Sequence, residues 1–309
     1  MGSVKPVTKR LPDGTVRSVM PFHVSFEGLE KAIICRDDRD CDTLVKCIIV
    51  CSRRKNVIII IYAVVSNHAH IAVLARCLEE ARAFANEVKR MYSQIFRKRY
   101  GESKILRGVD VDVQLLDTDW YLRNALAYVP RNAYDNGAKN LFDYKWTGFR
   151  AFFRSGTREG PRWPVTKMTR REWREIMHTG DDLSDVPWMV NAFGEIEPDS
   201  VCDTDYLEQA FNRDVTFFYK SIGSVNTAEM TQKLVVSPRK IKTDEEFFKE
   251  IEAVSMRWFM TGVSGLPMSK KARLIPYVYH TMKTTVPQLA RGFGMSREEI
   301  RRLLNLGAK

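Results

Sequence analysis

The stretch VIIIIYAVVSNHAHIAVLA, Val57 to Ala75, constrains the fold more than any other part of this 309-residue chain. β-branched and apolar side chains fill it, and such residues favour a pleated, buried backbone. Its longest unbroken apolar run, Val57 to Val65, is less than half of the roughly 20 residues that a membrane-spanning helix needs. It therefore reads as one long kinked strand or two short ones in a core. Asn67, His68 and His70 interrupt it. In a strand, residues i and i+2 share a face, so His68 and His70 present two imidazoles side by side while Ala69, Ile71 and Val73 point the other way. Two readings stay open for such a pair: histidines lining an exposed strand, or two ligands of a metal.

The flanking segments predict alternating strands and helices. FHVSFEG, Phe22 to Gly28, alternates Phe22, Val24 and Phe26 with His23, Ser25 and Glu27, the pattern of a half-buried strand. DCDTLVKCIIVCSRRK reads as an amphipathic helix capped by Asp42 or Thr43, with Arg53, Arg54 and Lys55 in its last turn. Leu78 to Tyr100 reads as a long helix ended by Gly101. GVDVDVQLLD alternates Val109, Val111 and Val113 with polar residues, a further strand. DTDWYLRNALAYVPRNAYDNG reads as a helix opened by Asp117, Thr118 or Asp119 and closed near Gly137. This order predicts an α+β fold of ferredoxin/RRM-like type, an antiparallel sheet with helices on one face and the other face left for a ligand.

Organisation is expected in three parts: a main domain over 1–155, a linker or accessory helical region over 156–266, and a small all-α region over 267–309. In the last, VPQLARGFGMSREEIRRLL resembles a helix-turn-helix, with Gln288 to Phe293 as first helix, Gly294 at the turn, and Ser296 with Glu299 as a capping box for the second. Ile300, Leu303 and Leu304 would pack inward there, leaving Arg297, Arg301 and Arg302 for duplex DNA.

Charge narrows the partners. Lys and Arg number 49 against 38 Asp and Glu, a formal +11, which favours a polyanion such as nucleic acid. The N-terminal MGSVKPVTKRLPDG lacks an apolar core of the signal-peptide kind. A soluble, cytoplasmic and nucleoid-associated protein with no membrane partner is expected, as a monomer or homodimer. The six cysteines lack zinc-ribbon spacing and are expected to be reduced core thiols.

SNHAHIAV is similar to the histidine-hydrophobic-histidine (HUH) motif of single-tyrosine transposases, especially the REP-associated tyrosine transposases. FHVSFEG resembles that family's first strand, MYSQIFRKRYGES the end of its long helix, and AYVPRNAYDNGAKNLFDYKWTGFRAFF its tyrosine helix and the segment that follows. These stretches lie in the family's order between Pro21 and Arg154. The resemblance implies the HUH nuclease fold, with Tyr128 as catalytic tyrosine and His68, His70 and Asn132 as ligands of a divalent metal, Mg²⁺ or Mn²⁺. It also implies single-stranded, hairpin-forming DNA as substrate, cleaved and rejoined through a 5′-phosphotyrosine. This chain departs from the family's pattern at Ser66, Pro130 and Ala133.

The residues agree with that chemistry. A phenol of pKa about 10 is a weak nucleophile at neutral pH and needs a polarised phosphate. At helical spacing Tyr121, Ala125, Tyr128 and Asn132 share one face, and Leu122, Leu126 and Val129 another. Lys89, Arg90, Arg97, Lys98 and Arg99 on the long helix, with Arg123 and Arg131 beside Tyr128, are candidate DNA contacts, interleaved with Tyr92, Tyr100, Trp146 and Phe149. A second reading is a DNA-binding regulator of palindromic repeats that keeps the scaffold without turnover.

Overall fold

A computed structural model of the chain describes residues 2–28, 33–101, 106, 109–154, 160–225, 244–282 and 284–304. They form two compact units, 1–236 and 237–309.

The first unit is built on an antiparallel sheet. Its elements run β1 (Val7–Arg10), β2 (Val16–Glu27), α1 (Asp38–Arg54), β3 (Ile58–Val64), β4 (His68–Ala75), α2 (Leu78–Tyr100), β5 (Asp112–Leu115) and α3 (Asp119–Asp135). The central half of β2 lies between β4 and β5, and β3 pairs with the far side of β4, so the order across the sheet is β5-β2-β4-β3. From β2 onward the chain follows the β-α-β-β-α-β order of ferredoxin-like folds. The α+β expectation is met. β1 forms a hairpin with the first residues of β2.

The opening stretch is two strands, not one. The Val65 amide donates to the His68 carbonyl at 3.0 Å, closing a tight turn with Ser66 and Asn67 at its tip. A bulge between Ile59 and Ile61 shifts the register of β3 on β4. Because the side-chain period is 2, register decides what each face carries. Ser25 lies opposite His70, and His23 opposite Ala72 and Gln114, so His23, Ser25, His68, His70, Asp112 and Gln114 share one face. The other face, with Phe22, Val24, Phe26, Ile71, Val73 and Val113, is buried in the main core against the α1–α2 layer.

Two expectations need correction. Helix α1 starts at Asp38, earlier than Asp42 or Thr43 would set it, because the Asp37 side chain accepts from the Asp40 amide and caps it. Helices also cover both faces of the sheet. α3 packs on β3 and β4 over the histidine face, with Leu122, Ala125, Leu126 and Val129 buried. An apolar stripe of that width must be covered, and β3 and β4 are among the elements that cover it. α3 is capped by the Thr118 side chain and runs unbroken through Pro130.

Residues 160–225 belong to the same core. β6 (Arg162–Pro164) pairs with β7 (Met189–Asn191), and α4 (Arg170–Ile176), α5 (Thr204–Ala210) and α6 (Val215–Ser224) follow, with α5 and α6 against α3. The open edge of β3 is occupied by two segments. The Thr147 hydroxyl donates to the Tyr62 carbonyl at 3.0 Å, and the Asp203 amide donates to the Ile59 carbonyl at 2.8 Å. Gly148 lies against this edge, where a Cβ would meet Cys202 Sγ at 3.1 Å and the Tyr62 amide nitrogen at 3.3 Å.

The second unit is helical: α7 (Asp244–Phe259), α8 (Met268–Thr281), α9 (Val286–Phe293) and α10 (Arg297–Leu303). Phe247, Ile251, Leu274, Ile275, Val278, Leu289, Phe293 and Ile300 form its core. Thr285 caps α9, Gly294 takes the left-handed conformation at its end with φ 61°, and the Ser296–Glu299 capping box opens α10. All six cysteines are free thiols, five of them buried. Among the described residues no helix is long and apolar enough to cross a membrane.

Candidate functional site

β4 and α3 bring together the four residues marked in the sequence. The His68 Nε2 lies 3.2 Å from Asn132 Oδ1, and the His70 ring meets the edge of the Tyr128 ring at a centroid distance of 5.1 Å. The two histidine rings are 4.9 Å apart and nearly perpendicular. Tyr128 and Asn132 share a face because they are four residues apart on α3, and Pro130 leaves that spacing intact.

Local hydrogen bonds orient each group. Asn132 Nδ2 donates to the Tyr128 carbonyl at 2.8 Å, one helical turn back, which leaves its oxygen facing His68. On the other side of the His68 ring, Nδ1 lies 2.8 Å from Asn67 Oδ1. Both partners are amide oxygens, so a neutral His68 donates to one of them and turns a lone pair toward the other. Two acceptors at that distance are held apart unless a cation or a proton sits between them.

The donor atoms present decide how a divalent metal would fit here. Among the described residues no group of three or more His, Cys, Asp or Glu is placed to hold a metal. The set here is two imidazoles and an amide oxygen. His68 Nε2 and Asn132 Oδ1, 3.2 Å apart, would be two of the donors, with His70 beside them. A hydrogen bond from the far nitrogen of a ligating histidine is the usual orienting contact, and Asn67 is placed to accept it. Mixed nitrogen and amide-oxygen ligands suit Mn²⁺ better than Mg²⁺.

A fifth residue joins this group. His23 on β2 stacks on His70, with centroids 5.1 Å apart, and its Nε2 lies 3.0 Å from His70 Nδ1. Burial drives the His23 imidazole down to about 3, and drives His70 well below its ordinary value, with His68 and His23 adding to the effect. Both rings are neutral at pH 7. Sequence reading placed His23 on the polar side of its strand. Only the β2–β4 register, which cannot be read from the chain, places it diagonally beside His70.

The site is enclosed. His70 is 3 % exposed, and Tyr128 and Asn132 are each 4 % exposed, whereas His68 is half-buried. The other tyrosines of α3 are placed differently. Tyr121 is half-buried and pushed up to about 12 by burial and by Asp112 and Asp117, while Tyr134 is exposed.

The ten candidate DNA-contacting cations separate into two groups. Lys89 donates to the Val109 carbonyl, Arg90 pairs with Glu87, and Arg99 pairs with the fully buried Asp40. Arg123 donates to the Ala210 carbonyl at 2.7 Å, and Arg131 pairs with Asp135 at 3.2 Å. These five have partners within the fold, Arg90 through an exposed ion pair. Arg97, Lys98, Arg297 and Arg302 are exposed, and Arg301 is half-buried on α10.

No family model matches this chain, and no curated protein matches it. Among solved structures, the chain is similar to a REP-associated tyrosine transposase bound to a REP hairpin. The match has 14 % sequence identity and a TM-score of 0.33, and covers 42 % of this chain and 77 % of that one.

Proposed function

We propose that this chain is a metal-dependent, HUH-type single-strand DNA nuclease and strand transferase that uses Tyr128 as its nucleophile. The observation that carries the reading is the convergence of His68 Nε2 and Asn132 Oδ1 at 3.2 Å, with Tyr128 one helical turn from Asn132 and against His70. A divalent cation held by His68, His70 and Asn132 would act as a Lewis acid on a scissile phosphate. As the bond from the Tyr128 oxygen to phosphorus forms, the bond from phosphorus to the 3′ oxygen breaks. The phenol proton passes to water, and the departing 3′ oxygen takes one up. The product is a 5′-phosphotyrosine and a free 3′-hydroxyl, so attack by a DNA 3′-hydroxyl reverses the step without ATP. The substrate is single-stranded DNA with hairpin structure, the class implied by the family resemblance. The net charge of +11 supports a polyanionic ligand.

One observation favours a second reading. Tyr128 is 4 % exposed, a nearly closed setting for a group that has to meet a phosphodiester. A scaffold that binds hairpin DNA and never opens this site would be a regulator without turnover.

Incubating hairpin oligonucleotides with the protein and Mn²⁺, then separating products under denaturing conditions, tests both. A product in which the protein is linked to the 5′ end of the downstream fragment, and which disappears in Tyr128→Phe, supports the transferase. Cleavage that survives Tyr128→Phe, with no linked product, excludes the tyrosine mechanism, and tight binding without cleavage selects the regulator.

A further inference from the structure

We propose that His23 is a positioning residue for His70: it accepts the His70 Nδ1 proton and so leaves the His70 Nε2 lone pair available to a metal. The inference deepens the nuclease reading and rests on it for the identity of the metal site. The contact itself is independent of that reading. His23 Nε2 and His70 Nδ1 lie 3.0 Å apart between two stacked rings, a hydrogen bond in which one nitrogen must carry the proton.

Burial limits the possibilities to two. His23 is 0 % and His70 3 % exposed, so both rings are neutral, each with one N–H. In the first arrangement His23 Nε2–H donates, and the His70 proton sits on Nε2, where it blocks coordination. In the second, His70 Nδ1–H donates to His23 and the His70 Nε2 lone pair is bare. The two arrangements hold the same number of protons, so no proton is gained or lost between them.

Ligation of a metal by His70 Nε2 requires the second. The His70 ring packs nearly perpendicular to both His68 and Tyr128, which puts it in the group formed by β4 and α3. The His70 ring is the polar contact the structure gives to the His23 imidazole, and in the second arrangement the His23 proton sits on Nδ1, which is buried with no hydrogen-bond partner, a cost that coordination of a metal by His70 would offset. Accepting from His70 is the outer-contact role that histidine ligands usually assign to a carboxylate or carbonyl, filled here by a neutral imidazole.

The test measures ¹⁵N shifts of the histidine rings in the metal-free protein, together with Mn²⁺ binding by calorimetry. The expected wild-type spectrum has His70 protonated on Nδ1. His23→Phe, close in volume but without an acceptor, should lose that tautomer preference and bind Mn²⁺ about 10- to 100-fold more weakly. His23→Gln, which restores an acceptor oxygen, should recover most of the affinity. A wild-type His70 protonated on Nε2 overturns the proposal, as does an unchanged tautomer and Mn²⁺ affinity in His23→Phe. If His23→Phe does not fold, the wild-type spectrum and the glutamine variant still decide. Absence of Mn²⁺ binding by the wild type would instead sink the metal site while the ring spectrum tests the His23 contact by itself.

Discussion

His68 Nε2 and Asn132 Oδ1 face each other at 3.2 Å although 64 positions of sequence separate them. Neither residue reaches this position by its own choice of rotamer alone. The Asn67 side chain holds one end of the imidazole, and the Tyr128 carbonyl takes the amide hydrogens of Asn132. Removing either member should therefore remove a ligand without unfolding the sheet. His68→Ala and Asn132→Ala are each expected to weaken Mn²⁺ binding by about tenfold or more, whereas Asn132→Asp, which supplies an anionic oxygen in the same place, retains it. Calorimetric titration checks this, and unchanged affinity in Asn132→Ala would place the metal elsewhere.

Arg99 and its neighbours on α2 should respond differently to the same substitution. Asp40 is fully buried and accepts from Arg99, from the Tyr100 hydroxyl at 3.1 Å and from the Arg36 amide at 3.0 Å. Arg99→Ala leaves that carboxylate short of its cation and is expected to cost about 3 kcal/mol in urea unfolding. Arg97→Ala and Lys98→Ala change exposed side chains and should leave stability within about 0.5 kcal/mol. Those two should instead lower affinity for single-stranded DNA and flatten its salt dependence.

The second unit offers a separate test. Arg297 and Arg302 are exposed on α10, whose inward residue Ile300 is fully buried. If this helix reads duplex DNA, Arg297→Ala and Arg302→Ala weaken duplex binding and leave unfolding unchanged. Duplex affinity equal to wild type in the double variant would make α9 and α10 a structural hairpin only.

Acid should destabilise the fold through His178. Burial, with Lys46, Arg99 and Arg39 nearby, lowers this imidazole to about 4, and its Nε2 lies 3.3 Å from the Thr43 hydroxyl. The unfolded chain binds this proton near pH 6.5 and the folded chain only near 4, so the unfolded state holds more protons between those values. Stability therefore falls as pH drops through that window and is insensitive to this group above it. Denaturation midpoints at pH 7.5 and 5 should differ less in His178→Gln than in wild type, after allowing for other groups common to both.

Much of this was legible in the chain because it depends on local pattern. The period-2 alternation around Phe22 and around His70 marks strands, and Thr118, Gly101 and the Ser296–Glu299 pair mark helix ends by their own hydrogen bonds and backbone preference. Tyr128 and Asn132 are paired by the family resemblance, and helical spacing agrees by putting them on one face. What could not be read depends on register and on packing between distant segments. The bulge in β3, the diagonal placement of His23 beside His70 and the cover of the β3 edge by Thr147 and Asp203 are of this kind. So are the partners that five of the ten candidate cations find within the fold, because charge in a sequence does not say which acidic group it will meet.

The central claim is that Tyr128, not another group, forms the bond to DNA. The direct measurement is mass spectrometry of the peptides from a protein–hairpin adduct formed with Mn²⁺ and digested with protease and nuclease. The account predicts a nucleotide phosphate on the peptide containing Tyr128, localised to that side chain. Attachment at Tyr121 or Tyr134, or cleavage of the hairpin with no modified peptide, would contradict it.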